Sequence, residues 1–164
     1  EHLMTEERTE PRRLSKAVLE TLAPMWLPVE IALAHYEACE ALGLPEHEQH
    51  DIGCDVGRRI QRSALSTIAR ASRAAGVTPW LGLSSVDRMW VRLMQGGGAR
   101  VVRQGPKESS IEFEGVPLAR YTYFRNGFRG LLLAACELFA KTCYVRVQHA
   151  QCGPTRLSYR MSWV

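Results

Sequence analysis

The last stretch of the chain alternates strictly. Leu157, Tyr159, Met161 and Trp163 are large and apolar, and Arg156, Ser158, Arg160 and Ser162 fall between them. Strand side chains point to opposite faces with a period of two, so this pattern dictates a half-buried strand. A slip of one residue would drive two arginines into the core. Just upstream, Val145 and Val147 alternate with Arg146 and Gln148, and Cys152-Gly153-Pro154 supplies turn chemistry between the two runs. The chain is therefore expected to end in a β-hairpin whose register is set by its own side chains.

A strand with one apolar face needs a cover. Residues 127–141 meet that need, because Phe128, Leu131, Leu132, Ala135, Leu138 and Phe139 form a broad apolar helical face and Asn126 is placed to cap it. Three short strands are expected before this helix, at 100–103, 111–114 and 118–124. In the last, Leu118, Arg120 and Thr122 face one way and Ala119, Tyr121 and Tyr123 the other.

Further upstream the period becomes helical. The spacing predicts helices over 14–22, 29–42, 56–75 and 86–94. Ile31, Ala34, Ala38 and Leu42 mark the buried face of the second, and Ile60, Ala64, Ile68, Ala71 and Ala75 that of the third. Residues 44–51 read as a polar linker, 77–80 as the start of a loop, and Gly96-Gly97-Gly98 as a turn into a strand. Helices and strands are segregated along the chain. That argues for an α+β fold, with N-terminal helices packed on a mostly antiparallel sheet and a C-terminal helix–hairpin.

The 164 residues, 46% of them apolar, suit one domain over 14–164 preceded by a flexible tail at 1–13. An odd set of five cysteines and no secretory signal point to reduced thiols in the cytoplasm, and no apolar run is long enough for a membrane span. The net charge of +4 permits an anionic partner without requiring one.

No constellation identifies a reaction. The G-x-S-x-G elbow is absent, and Gly96-Gly97-Gly98 lacks both the P-loop lysine and the dinucleotide spacing, so a non-catalytic role is favoured. No cofactor is demanded. Zinc is the chemistry to weigh at His47, His50 and Cys54, spaced H-x2-H-x3-C, and at His149 and Cys152 with Cys143 or Cys136. Imidazole and thiolate ligands at short spacing let one loop supply several donors. The plainer reading of both sets is solvated histidines beside small core thiols. His35, on an apolar helix face one turn from Cys39, is the one candidate for an axial haem ligand, against the commoner reading of a hydrogen-bonded core histidine. Arg59, Arg62, Arg70 and Arg73 line one helical edge and suit an acidic partner or phosphates. Aromatic residues are not interleaved with them, which disfavours nucleic acid over a plain solvated face.

The segment IEFEGVPLARYTYFRNGFRGLLLAACELFAKTCYVRVQHAQCGPTRLSYRMSWV, together with GRRIQRSALSTIARASRAAGVTP, resembles a heavily duplicated family of myxobacterial proteins. The likeness covers most of residues 52–164. In outline that family is similar to the 4-vinyl-reductase-like domain, the Bet3-type trafficking subunits and the haem–nitric-oxide-binding domain. The resemblance implies an α+β sensor or adaptor, often a homodimer, with an apolar ligand pocket between helices and sheet. Tyr121, Tyr123, Phe128, Leu132, Tyr159 and Trp163 are the expected pocket lining, for a small apolar ligand or a protein partner. Some of the 4-vinyl-reductase-like domains carry a zinc site. His149 and Cys152 fall at two of its positions, but residues 157–163 lack its further cysteine, and the Y-x-S-x-R signature of the haem group is absent.

Overall fold

The computed structural model describes residues 26–60 and 78–164. The expected helix over 14–22, the tail over 1–13, and most of the helix over 56–75 lie outside them, as do Arg62, Arg70 and Arg73.

Four strands form one antiparallel sheet: β1 (Gly98–Gly105), β2 (Glu108–Glu114), β3 (Cys143–Val147) and β4 (Arg156–Trp163), in the order β1-β2-β4-β3. The terminal hairpin has the expected register. Val145 faces Met161, Val147 faces Tyr159, and on the other side of β4 Ile111 faces Tyr159 and Phe113 faces Leu157. Leu157, Tyr159, Met161 and Trp163 are all buried, and Arg156 and Arg160 are exposed. Ser158 is also fully buried, because its hydroxyl is covered by Gln148 and Gln151 of the β3–β4 connection, each 2.9 Å away.

Five α-helices are described: α1 (Val29–Ala41), α2 (Glu46–Ile60), α3 (Pro79–Leu83), α4 (Val86–Leu93) and α5 (Thr122–Glu137). The fold is α+β, and α5 followed by β3 and β4 closes the chain. The first helix ends before Gly43, whose φ of 61° is the left-handed stop expected there. Its packing face differs from the expected one. Ala32, Leu33 and Tyr36 meet the core, whereas Leu42 is 66% exposed.

Three further expectations are corrected. The strand expected over 118–124 is a 3-10 turn (Pro117–Arg120) running into α5, and Asn126 lies inside that helix instead of capping it. Aromatic and β-branched letters favour strands only through packing, and here Phe124, Phe128 and Leu132, four apart, bury one helical stripe. The polar linker expected over 44–51 is largely helix, since α2 begins at Glu46. Glu46 and Glu48 at its start and Arg58 and Arg59 at its end suit the helix dipole. Its buried face is Gln49, Gly53, Cys54 and Gly57, which carries no apolar period, and Ile60, expected in the core, is 52% exposed. The loop expected from 77 becomes α3, with Pro79 in the first turn, where a missing N–H costs nothing.

The core lies between α5 and the inner face of the sheet, with α1, α3 and α4 closing its margins. On the far side of α5, α2 packs by glycines. A Cβ on Gly53 would collide with the Gly127 carbonyl, and one on Gly130 with the His50 carbonyl.

Candidate ligand-binding interior

The inner face of β2 presents Ser109, Ile111 and Phe113, and that of β4 Leu157, Tyr159, Met161 and Trp163, all buried. From above, α5 lowers Phe124, Phe128 and Leu132, one turn apart. The rings interlock. Phe113 and Phe128 meet edge-on with centroids 5.1 Å apart, Phe124 stacks on Phe128 at 5.5 Å, and Phe128 lies 5.8 Å from Tyr159. Trp90 of α4 closes this end, 4.8 Å from Phe113 and 6.2 Å from Phe128. The Tyr159 hydroxyl donates to the Arg125 carbonyl at 3.0 Å, and burial pushes its phenol well above its ordinary pKa.

Two buried polar atoms on this interior lack a hydrogen-bond partner among the described residues: the indole Nε1 of Trp90 and the hydroxyl of Ser109. On the α2 side, Asn126 is similar. Its Nδ2 donates to Gln49 Oε1 at 2.9 Å, while its Oδ1 has no partner among the described residues.

The six residues expected to line a pocket fall in three places. Phe128, Leu132 and Tyr159 belong to the interior just described. Trp163 packs at the other end of β4 on Trp80, 5.0 Å away, whose indole donates to the Pro106 carbonyl at 2.8 Å. Tyr121 and Tyr123 sit at the start of α5, where Tyr121 packs against the core and Tyr123 faces α1. Tyr123 lies 6.2 Å from Tyr36, and its backbone N–H donates to Glu40 at 2.7 Å. Trp90 was missing from the sequence expectation because its neighbours Met89, Val91 and Leu93 are exposed, so no apolar period marks it out.

The candidate metal donors do not converge. Among the described residues no three His, Cys, Asp or Glu side chains form a metal-holding group. His47 is exposed on α2, and His50 is held by Asp51 at 3.2 Å with Cys54 one turn on. His149 is exposed on a 3-10 turn, while the Cys152 thiol faces the Ser158 carbonyl. Cys136 is buried beside Cys143, and burial raises its pKa far above the usual thiol range. Of the arginine edge only Arg59 is described, and it is exposed.

No family model and no curated protein sequence matches this chain. Solved structures do. The Fe(II) unliganded H-NOX protein from K. algicida superposes with a TM-score of 0.61 at 10% identity, covering 98% of this chain and 91% of that one. A trafficking protein particle complex subunit 3 from Naegleria fowleri, covalently bound to palmitic acid, gives 0.55 at 18% identity, covering 73% and 80%. A mutant of T. Tengcongensis H-NOX gives 0.56 at 14%, covering 88% and 79%. The chain is thus similar in fold to H-NOX proteins and to a trafficking-complex subunit, and identities this low speak to the fold alone.

The heme associated with the H-NOX family sets a test of fit. An axial histidine has to stand on the wall of an interior that admits a porphyrin. His35 is exposed, 3.6 Å from the Cys39 thiol and edge-on to Tyr36, and none of the other described histidines is buried. The space between α5 and the sheet is occupied by interlocked rings. The described residues do not fit a haem.

Proposed function

We propose that the protein is a non-enzymatic binding module, a sensor or adaptor, which takes a small, slim apolar molecule between α5 and the sheet, the interlocked rings of Phe113, Phe124 and Phe128 moving apart to admit it. The observation that carries this reading is the pair of orphaned groups at Trp90 and Ser109. A buried donor left unsatisfied costs about 1–3 kcal/mol, and native structures keep few of them without a use. Trp90 rests on Phe113 at one end of the inner row of β2, and Ser109 stands four residues away at the other, about 14 Å along the strand. A mostly apolar ligand with a polar atom at one or both ends matches that row. Two fold neighbours support the same reading, one through its bound palmitic acid and one through the heme of its family. Membership of the duplicated myxobacterial family and a cytoplasmic setting with reduced thiols belong to the same reading.

Native mass spectrometry of the purified protein, followed by organic extraction, tests it. A bound small molecule is expected, or saturable binding of palmitic acid that quenches tryptophan emission and raises Tm. A protein that carries nothing, and whose Tm does not move with palmitic acid, ends the ligand reading.

The adaptor form of the proposal draws on α4, which leaves Met89, Val91 and Leu93 exposed around the buried Trp90. A protein contact there, including a homodimer, should be lost on Leu93→Glu. Sedimentation velocity reads this directly, and a wild type that stays monomeric and binds no protein removes the adaptor form. Among the described residues no helix is long and apolar enough to cross a membrane.

A further inference from the structure

The outer face of the sheet, opposite α5, carries a cleft of about 380 Å³ between β2, β4 and β3, lined by Glu108, Tyr144, Arg146, Arg160 and Ser162. The register explains its shape. Ser162 pairs with Glu108 on one side and Tyr144 on the other, so a small residue forms the floor between two taller ones. One step along, Arg146 stands directly opposite Arg160. Like charges facing each other across a ladder are destabilising, so this pair opposes the sheet that carries it.

Only one of the two arginines is neutralised. Arg160 gives its Nε to Glu108, which leaves the outer edge of its guanidinium unused. Among the described residues, Arg146 has no carboxylate at ion-pair distance. The rest of the outer face is balanced, since Glu112 bonds both Arg100 and Arg156 and Glu114 lies near Arg156. The excess of one positive charge therefore falls inside the cleft. Arg146 and Arg160 make a hydrogen-bonded cross-strand pair, because the flanking pairs 142–164 and 148–158 are each joined by a backbone bond and such pairs alternate along an antiparallel ladder. Their Cα atoms are then about 5.5 Å apart, and the two guanidiniums can close on one group from either side.

We propose that this cleft binds a phosphate monoester. A dianionic phosphoryl group offers three acceptor oxygens. It can take charge-assisted bonds from Arg146 and from the free edge of Arg160, with the Tyr144 and Ser162 hydroxyls as further donors. Glu108 does not block this, because its carboxylate is turned to the Arg160 Nε. The phosphoryl group can come from a small metabolite or from a phosphorylated protein side chain. The site is separate from the interior and does not depend on the ligand proposed there.

The test is a titration followed by amide and guanidinium NMR signals at constant ionic strength. Its probes are inorganic phosphate, a hexose 6-phosphate and a phosphoserine peptide, with acetate as control. Saturable shifts confined to Tyr144, Arg146, Arg160 and Ser162 are expected. Arg146→Ala, at an exposed position, should weaken binding by roughly tenfold or more, and Glu108→Gln should tighten it. A tighter peptide identifies a protein source, and a tighter hexose phosphate a metabolite. Shifts that acetate reproduces, affinity unchanged in Arg146→Ala, or no saturable binding would each overturn the proposal.

Discussion

Gly53 of α2 and Gly127 of α5 meet backbone to backbone, so closely that a Cβ on Gly53 would overlap the Gly127 carbonyl. Gly57 is nearly as tight, with a Cβ there falling 2.7 Å from that of Ala134. This contact, and no apolar stripe, sets the spacing of the two helices. Gly53→Ala should therefore force them apart and cost about 1–3 kcal/mol or more, the range for overpacked interiors. Gly98→Ala, where a Cβ meets nothing, should stay within about 0.5 kcal/mol. Urea denaturation of the two variants checks the contrast.

The same interface contains one polar bridge. Gln49 receives the Asn126 amide at 2.9 Å and passes its own to the Leu44 carbonyl at 2.7 Å. Both residues are buried. Asn126→Ala should cost about 1–3 kcal/mol, because it strands a Gln49 acceptor away from water. A double-mutant cycle with Gln49→Ala should show coupling of about 0.5–1.5 kcal/mol. Additive losses would mean that the two amides do not bond.

Alkali should weaken the fold through two interior groups. Burial raises the Cys136 thiol and the Tyr159 phenol above their ordinary values of 9.0 and 10.0. The folded chain then keeps protons that the unfolded chain gives up. Their contribution is complete below pH 9 and falls as pH rises through the raised values. Above pH 10 each group should contribute a slope of about 1.4 kcal/mol per pH unit. Tyr159→Phe should remove one such contribution, at the cost of about 1 kcal/mol at neutral pH for the bond to the Arg125 carbonyl. Denaturant midpoints between pH 8 and 11 read both effects.

The acid side should be governed partly by Glu112. Its hydrogen bond with Arg100, at 2.7 Å, and the nearby Arg156 hold its carboxyl below the ordinary value of 4.5. What this cluster adds to stability is present above pH 4.5 and is lost as pH falls through the depressed value. Glu112→Gln should make the protein less stable at pH 7 and flatten its response to acid. Equal acid slopes in both proteins would remove Glu112 from the account.

The hairpin could be read from sequence because residues 156–163 alternate over eight positions, long enough to separate a period of two from one of 3.6. The Arg-Tyr-Thr-Tyr-Phe run that leads into the first turn of α5 is too short for that test, and its strand-loving letters pointed the wrong way. The first part of α2 stayed hidden because its buried face is glycine and glutamine around one small thiol, which carry no apolar period although the glycines permit the closest helix packing among the described residues. Of the interior, Phe128 and Tyr159 could be found from their elements' apolar faces. Trp90 could not, because a short helix with one buried residue has no period. The Arg146–Arg160 pairing needed the register, which no single-strand pattern contains.

The strand order leaves β1 and β3 as the outer strands of the sheet among the described residues. An open strand edge is a template for another chain, and proteins guard such edges with brevity, charge and irregularity. Here β3 is five residues long with Arg146 near its centre, and the β1–β2 ladder shifts register between Arg103 and Gly105. A fifth strand approaching from either side would meet a cation or a broken ladder, so the sheet is built to resist the edge-to-edge growth that begins aggregation.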